Sequence, residues 1–97
     1  MTPEKKVQKK LIAYLKKKKC YVIKTQVDGR GMVPVGCPDV IALYEGWWGA
    51  FECKGSAKAP YRPLQKETIA KLNEWSTATV VHPDNIDEVI SQLEKML

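Results

Sequence analysis

Three charged residues stand where a small protein ordinarily places apolar side chains. Asp39 follows Pro38 at the start of the apolar run VIALY, and Glu52 and Lys54 lie in the next apolar run, WWGAFECK. Because alternate side chains of a strand share one face, Glu52 and Lys54 point the same way while Cys53 points the other. Asp39 reaches the same patch if the two runs pair as a hairpin. Since unpaired buried charge is costly, these residues either lie on a solvated edge or converge on something that requires them.

Two carboxylates and one ammonium group on one patch predict metal-assisted hydrolysis of a phosphodiester. Carboxylates a few ångströms apart repel each other, and a divalent cation such as Mg²⁺ relieves that repulsion while binding water and substrate oxygens. We predict that Asp39 and Glu52 bind the metal, with the backbone carbonyl of Cys53 as a further ligand. Lys54 would stabilise transition-state charge or orient the attacking water. The alternative is a surface ion-pair cluster on an edge strand.

Seven elements, in the order α-β-β-β-α-β-α, are predicted to position this patch. The predicted elements are a helix from Thr2 to about Lys18, strands at 20–27, 39–44 and 47–54, a helix with Pro63 at its first position, a strand at 79–82, and a last helix capped by Asp84 or Asn85. Trp47 and Trp48 lie on opposite faces of their strand, so we expect at least one to be exposed. The expected fold is α/β, with one sheet and helices packed on it, in a single domain over residues 1–97.

Two further polar residues are predicted on the inner faces of helices. Glu4 lies three residues before Val7 and extends the apolar face of the first helix. Gln65 shares a stripe with Ile69 and Leu72 in the second helix. Each also has a simpler interpretation, because an acidic residue favours the first turn of a helix and a polar residue is ordinary there.

The chain resembles the VRR-Nuc family of the PD-(D/E)xK nuclease superfamily, above all its short stand-alone phage and bacterial members. The residues that carry the resemblance are Gly36, Pro38, Asp39, Glu52, Lys54 and Gln65. The resemblance runs from Glu4 to about His82, and Cys53 departs from the aliphatic residue usual at its position. It implies a restriction-endonuclease-like α-β-β-β-α-β core with a mixed sheet and an extra C-terminal helix. It also implies a Mg²⁺- or Mn²⁺-dependent endonuclease for structured DNA.

The resemblance extends to supporting residues, substrate and assembly. It implies that Glu4 and Gln65 support the site, with Glu4 bound to the metal directly or through water. A four-way (Holliday) junction is the implied substrate. Since symmetric cutting of two strands needs two sites, we expect a C₂ homodimer in which the tryptophans and the Val/Met-bearing loop supply contact area. The tryptophans are equally suited to stack on bases.

The charge balance favours a polyanionic partner. Sixteen Lys and Arg residues against eleven Asp and Glu give a formal charge of +5, and nucleic acid is the commonest partner for such a surface. The predicted phosphate contacts are Lys16, Lys17, Lys18, Lys19, Arg30, Lys58 and Arg62. Alternatively, the lysine run is a solvated helix end. Two rival functions follow: a non-catalytic basic nucleic-acid-binding module, or an interaction domain for an acidic partner.

Several classes of protein are disfavoured. No apolar run approaches 18 residues and no hydrophobic segment follows the N-terminal lysines, so we expect no membrane span and no secretory signal. The expected location is cytoplasmic, in the host cell if the chain is phage-encoded. Cys20, Cys37 and Cys53 contain no CxxC pair, so we expect free buried thiols rather than a zinc site with His82, which we interpret as structural.

Overall fold

The computed structural model describes residues 1–25 and 33–97, which form three helices and four strands in the predicted order. The elements are α1 (Pro3–Lys17), β1 (Tyr21–Lys24), β2 (Val40–Tyr44), β3 (Trp47–Cys53), α2 (Gln65–Trp75), β4 (Thr77–Val81) and α3 (Ile86–Met96). The predicted α/β architecture, a mixed sheet flanked by helices with a further helix at the C-terminus, is therefore confirmed. No helix in these two ranges has the length and apolar character needed to cross a bilayer.

The sheet has the strand order β1-β2-β3-β4. Strands β1, β2 and β3 are antiparallel neighbours, and β2 joins β3 through Glu45 and Gly46, whose positive φ angles of 40° and 88° suit a tight two-residue hairpin. Strand β4 is parallel to β3, which requires the crossover that α2 supplies. This arrangement brings the start of β2 and the end of β3, on two neighbouring central strands, to the same end of the sheet.

The core lies between the sheet and the helices α1 and α3. Its buried members are Val7, Leu11 and Leu15 of α1, Val40, Ala42, Phe51, Cys53 and Val81 of the sheet, and Ile86, Val89 and Leu93 of α3. Helix α1 begins as predicted, with Pro3 in its first turn and the Thr2 hydroxyl accepting a 3.2 Å hydrogen bond from the Lys5 N–H. Most of the buried apolar side chains therefore lie on the face of the sheet that packs against α1 and α3.

Helix α2 covers only part of the opposite face. It packs on β4 and β3, and Gln65 is its one buried residue, whereas Trp75 is 64% exposed. Beyond α2, on the part of this face formed by β1 and β2, Tyr21 is 71% exposed and Leu43 42% exposed. No helix in residues 1–25 and 33–97 covers the apolar area beside β1.

Several predicted boundaries are wrong. Helix α2 begins at Gln65 rather than Pro63, because Leu64 has a left-handed backbone (φ 65°) that interrupts helical geometry. Strand β4 begins at Thr77, two residues before the expected position, and ends before His82. Strand β1 ends at Lys24, and the predicted continuation at residues 26–27 lies outside the described ranges.

The expectation that Trp47 or Trp48 is exposed is also wrong, because both are half-buried. The Trp47 ring folds back over its own strand toward Gly49, where an added Cβ would lie only 2.7 Å from Trp47 Cη2. Trp48 pairs with Leu43 across the hairpin. The three cysteines are free as expected, with Cys37 half-buried rather than buried.

Candidate active site

The Gly-x-Pro-Asp motif fixes where Asp39 enters the sheet. Gly36 has a φ of 85°, and a Cβ there would lie 2.8 Å from the backbone of Leu64, so only glycine fits against the start of α2. The Asp39 carbonyl accepts a 2.9 Å hydrogen bond from the Thr25 N–H at the end of β1. Its side-chain Oδ2 accepts a 3.1 Å bond from the Cys53 N–H. Asp39 is therefore held, buried, against the end of β3.

Glu52 and Lys54 lie on one face, as strand alternation predicts. Glu52 is 1% exposed, its Oε2 lies 3.3 Å from Lys54 Nζ, and its Oε1 has no hydrogen-bond partner among the described residues. Burial raises the pKa of Glu52, as does the neighbouring Asp39 charge, while Lys54 and Arg62 act in the opposite direction. Two adjacent buried carboxylates therefore need positive charge beside them.

Gln65 positions the lysine. Its Oε1 accepts a 2.9 Å hydrogen bond from Lys54 Nζ and a 2.8 Å bond from the Arg62 N–H. Lys54 Nζ also donates to the Pro60 carbonyl at 3.0 Å. The sequence indicated that Gln65 points inward, and the structure brings it to Lys54, so α2 orients the ammonium group of β3.

Arg62 lies beside the two carboxylates, a position that the sequence did not indicate. Its Nη2 lies 3.2 Å from Asp39 Oδ1 and 3.6 Å from Glu52 Oε2, so the guanidinium bridges the two carboxylates. We expected Arg62 to contact DNA phosphate. Its side chain is 46% exposed, which leaves it accessible from solvent while it bridges the pair.

Glu4 does not extend the buried face of α1, contrary to expectation. The residue is exposed and lines a small pocket of about 170 Å³ with Lys5, Gln8 and Asp39. It lies in the first helical turn, before Val7, the first buried residue of α1, so helical periodicity alone misplaced it. Across residues 1–25 and 33–97, no three His, Cys, Asp or Glu side chains cluster closely enough to hold a metal ion.

The acidic pair nevertheless has the chemistry of a site for a hard cation. Glu52 Oε1 is a buried oxygen for which residues 1–25 and 33–97 supply no hydrogen-bond partner, and Asp39 Oδ1 and Glu52 Oε2 already share one positive group. Mg²⁺ and Mn²⁺ favour such oxygen ligands. Asp39 and Glu52 therefore fit a divalent ion.

Residues 4–83 match the family described as archaeal Holliday junction resolvase (Hjc). The chain belongs to the archaeal Holliday junction resolvase family. Among curated proteins, none matches it. Hjc is a nuclease family of the PD-(D/E)xK type, so the predicted superfamily is confirmed, whereas the VRR-Nuc assignment within it remains a prediction. The matched range contains Asp39, Glu52, Lys54 and Gln65, and its limits are close to those that the motif resemblance indicated.

The predicted phosphate contacts of this Hjc family member lie on different surfaces in the described part of the chain. Lys18 pairs with Glu94 at 2.9 Å, while Lys16 lines a groove of about 560 Å³ along α1. Helix α1 ends at Lys17, and Lys19 has a left-handed backbone (φ 68°), so the four lysines of the run point to different surfaces. Lys17, Lys19 and Lys58 are exposed, and Arg30 lies outside the described residues.

The α1 groove contains lysines that the sequence reasoning missed. They are Lys5, Lys9 and Lys24, which join Lys16 in its lining. The spacing of 5, 9 and 16 places three of them along one side of a helix, and that periodicity was a usable signal. Lys5 and Gln8 line both this groove and the small pocket at Asp39, so the two are contiguous.

Proposed function

We propose that this protein is a Mg²⁺- or Mn²⁺-dependent endonuclease that hydrolyses phosphodiester bonds in four-way (Holliday) junctions as a homodimer. The observation that carries the proposal is the convergence of Asp39, Glu52 and Lys54 at one buried edge, inside the region matched to Hjc. The Gly-x-Pro-Asp form and Gln65 also support a relation to VRR-Nuc nucleases. We expect the protein to act on DNA in the cytoplasm, in the host cell if it is phage-encoded.

Metal binding and stabilisation of the transition state are assigned to different side chains of the site. Asp39 and Glu52 would hold the cation, with the Cys53 carbonyl and Glu4 as further proposed ligands, Glu4 directly or through water. When bound, the cation would supply Lewis acidity and a nucleophilic water. Lys54 directs two of its three protons to Gln65 and Pro60. The third faces Glu52 Oε2 at 3.3 Å, and on substrate binding it would serve a phosphate oxygen or the attacking water.

The α1 groove is the best-supported path for a DNA strand. Its four lysines lie on a surface contiguous with the pocket at Asp39, and none of the described residues that line it is acidic. Phosphate contacts of this kind orient DNA without reading its sequence. We therefore retain Lys16 from the predicted set, keep Lys17, Lys19, Lys58 and Arg30 as candidate contacts, and replace Lys18 with Lys5, Lys9 and Lys24.

The groove is tested by a matched pair of double variants. Lys9→Gln/Lys16→Gln should reduce the slope of log binding constant against log salt by roughly 1.8, since each phosphate contact contributes about 0.9. Lys10→Gln/Lys95→Gln removes the same charge elsewhere, because Lys10 pairs with Asp87 on α3 and Lys95 lies near the end of that helix. Equal slopes for the two variants would place the DNA path elsewhere.

The uncovered sheet face supports the proposed dimer. Tyr21, Ile23 and Leu43 are all exposed on the β1–β2 part of the sheet that α2 leaves bare. Exposed apolar patches of this kind mark interaction surfaces. A second copy of the chain would cover the patch and supply the second site needed to cut two strands symmetrically. This surface replaces the tryptophans as the main proposed contact area.

The decisive assay compares labelled four-way junction, linear duplex and single strand with Mg²⁺, Mn²⁺ or EDTA. We expect the wild type to cut the junction only with metal, and Asp39→Asn, which keeps the shape of the side chain, to bind it without cutting. Junction binding without cleavage in any metal would instead favour the non-catalytic binding module, for which the lysine-lined groove would suffice.

A further inference from the structure

Arg62 is the positive group nearest to Asp39 in the described part of the chain. Its Nη2 contacts Asp39 Oδ1 at 3.2 Å and Glu52 Oε2 at 3.6 Å. Lys54, the other cation at the site, contacts Glu52 and is otherwise hydrogen-bonded to Gln65 and Pro60. The charge of Asp39 is thus balanced in this structure by an arginine that approaches from the solvent side.

Arg62 and a divalent ion would compete for the same two oxygens. A cation bound by Asp39 and Glu52 would need the oxygens that now face the guanidinium, and two positive groups in contact with one carboxylate pair repel each other. Glu52 Oε1 is the only oxygen of this acidic pair without a hydrogen bond or an ion pair in the described structure, and by itself it offers one ligand. The ion therefore binds more readily when Arg62 has moved away.

The Arg62 side chain can move away from the two carboxylates without a change in the backbone of its loop. The Arg62 N–H donates to Gln65 Oε1 at 2.8 Å, and its carbonyl accepts from the Gln65 N–H at 3.1 Å. Pro60 and Pro63 flank this short segment and restrict its φ angles. The side chain is 46% exposed, so rotation about its own bonds is enough to swing the guanidinium into solvent.

We propose that Arg62 competes with the divalent cation for Asp39 and Glu52, and that once displaced it contacts the phosphate of the bound DNA. The proposal rests on the metal-dependent nuclease function proposed above. Before metal binds, Arg62 neutralises the buried carboxylates. Bound DNA offers the guanidinium a second anionic partner, so DNA weakens its hold on the carboxylates and metal binds more readily. Metal binding and DNA binding are then coupled through one side chain.

The test is metal affinity measured without DNA, by electron paramagnetic resonance of free Mn²⁺ or by calorimetry, and so does not depend on cleavage. Arg62→Gln should bind Mn²⁺ about three- to tenfold more tightly than wild type, because a partly exposed ion pair is worth roughly 1 kcal/mol. The same variant should be slightly less stable than wild type without metal. A residue with a merely structural role would not weaken the fold and strengthen metal binding at once.

Lys66→Gln is the matched control, since it removes an exposed positive charge from the same end of α2. We expect it to change Mn²⁺ affinity by less than twofold. Equal gains from Lys66→Gln and Arg62→Gln would mean that only overall charge matters and would overturn the proposal. Unchanged or weaker binding by Arg62→Gln would overturn it too, while leaving the nuclease function intact.

Two further measurements separate the coupling of metal and DNA binding from the proposed nuclease function. Both proteins in this comparison carry Lys54→Met, so that the added junction is not cleaved. Junction should raise the Mn²⁺ affinity of the protein that keeps Arg62 more than that of the protein with Arg62→Gln. If Asp39→Asn binds Mn²⁺ as tightly as wild type, the acidic pair is not the metal site, and both the proposed function and the role of Arg62 fail.

Discussion

Lys54→Met removes the ammonium group and keeps most of the aliphatic stem, so it isolates the charge at the centre of the site. The Lys54 side chain is 7% exposed and Glu52 is 1% exposed, with Nζ and Oε2 separated by 3.3 Å. Breaking a buried pair by removing one partner costs about 3–5 kcal/mol. Because Arg62 remains 3.6 Å from Glu52, we expect the lower end, about 3 kcal/mol. A domain of ordinary stability would remain folded.

A double-mutant cycle separates this electrostatic cost from lost packing. Glu52→Gln/Lys54→Met removes both charges with little change in shape, and replacing a buried pair by neutral groups is often neutral. We expect the double variant to recover most of the loss, giving a coupling energy of about 2 kcal/mol between the two positions. Urea unfolding followed by tryptophan fluorescence measures all four proteins. A loss below about 1 kcal/mol for Lys54→Met, with no coupling, would refute the reasoning.

The same variant tests catalysis under conditions where circular dichroism shows it to be folded. Loss of one preorganised group that stabilises transition-state charge lowers turnover by about 10²–10³. Junction binding should change little, because the lysines of the α1 groove are untouched. Cleavage within about tenfold of wild type would show that Lys54 does not act on the transition state.

Three further outcomes are expected. Gly36→Ala should lower the free energy of unfolding by at least about 1 kcal/mol and slow cleavage, because the added Cβ would meet the start of α2 at a left-handed backbone position. A urea midpoint equal to that of the wild type would contradict this. Lys18 and the Tyr14 hydroxyl hold the pKa of Glu94 below its usual range. Since that stability exists above the unfolded pKa and is lost as pH falls through the lower folded value, Tyr14→Phe should lower the urea midpoint at pH 7, and the difference should shrink below about pH 4. Leu43→Lys should convert a dimer to a monomer in light scattering, and a dimer that persists would move the interface.

Local periodicity was enough to predict the acidic pair and its lysine. Glu52 and Lys54 share a face because strand alternation leaves no other choice. Asp39 meets them because a two-residue turn sets the register of β2 against β3. Each inference depends on residues close together in sequence, where covalent geometry limits the alternatives.

Predictions that depended on the end of an element, or on how far a helix stays in contact with the sheet, were the ones that failed. Glu4 follows the helical stripe of α1 but lies before Val7, the first buried residue of that helix, and lines the pocket at Asp39. Leu64 takes a left-handed backbone where the pattern predicted a helix already begun. Lys18 belongs to a run of like charges, yet its neighbour Glu94 comes from the other end of the chain.

By itself, the sequence determined the element order, the faces of the strands and the identity of the residues at the acidic edge, because these follow from periodicity and turn chemistry. Only the tertiary structure decided that Gln65 orients Lys54, that Arg62 bridges Asp39 and Glu52, and that α1 and β1 together form a lysine-lined groove. These relations join side chains from different elements. Their distances depend on how the helices pack on the sheet, which short-range patterns do not encode.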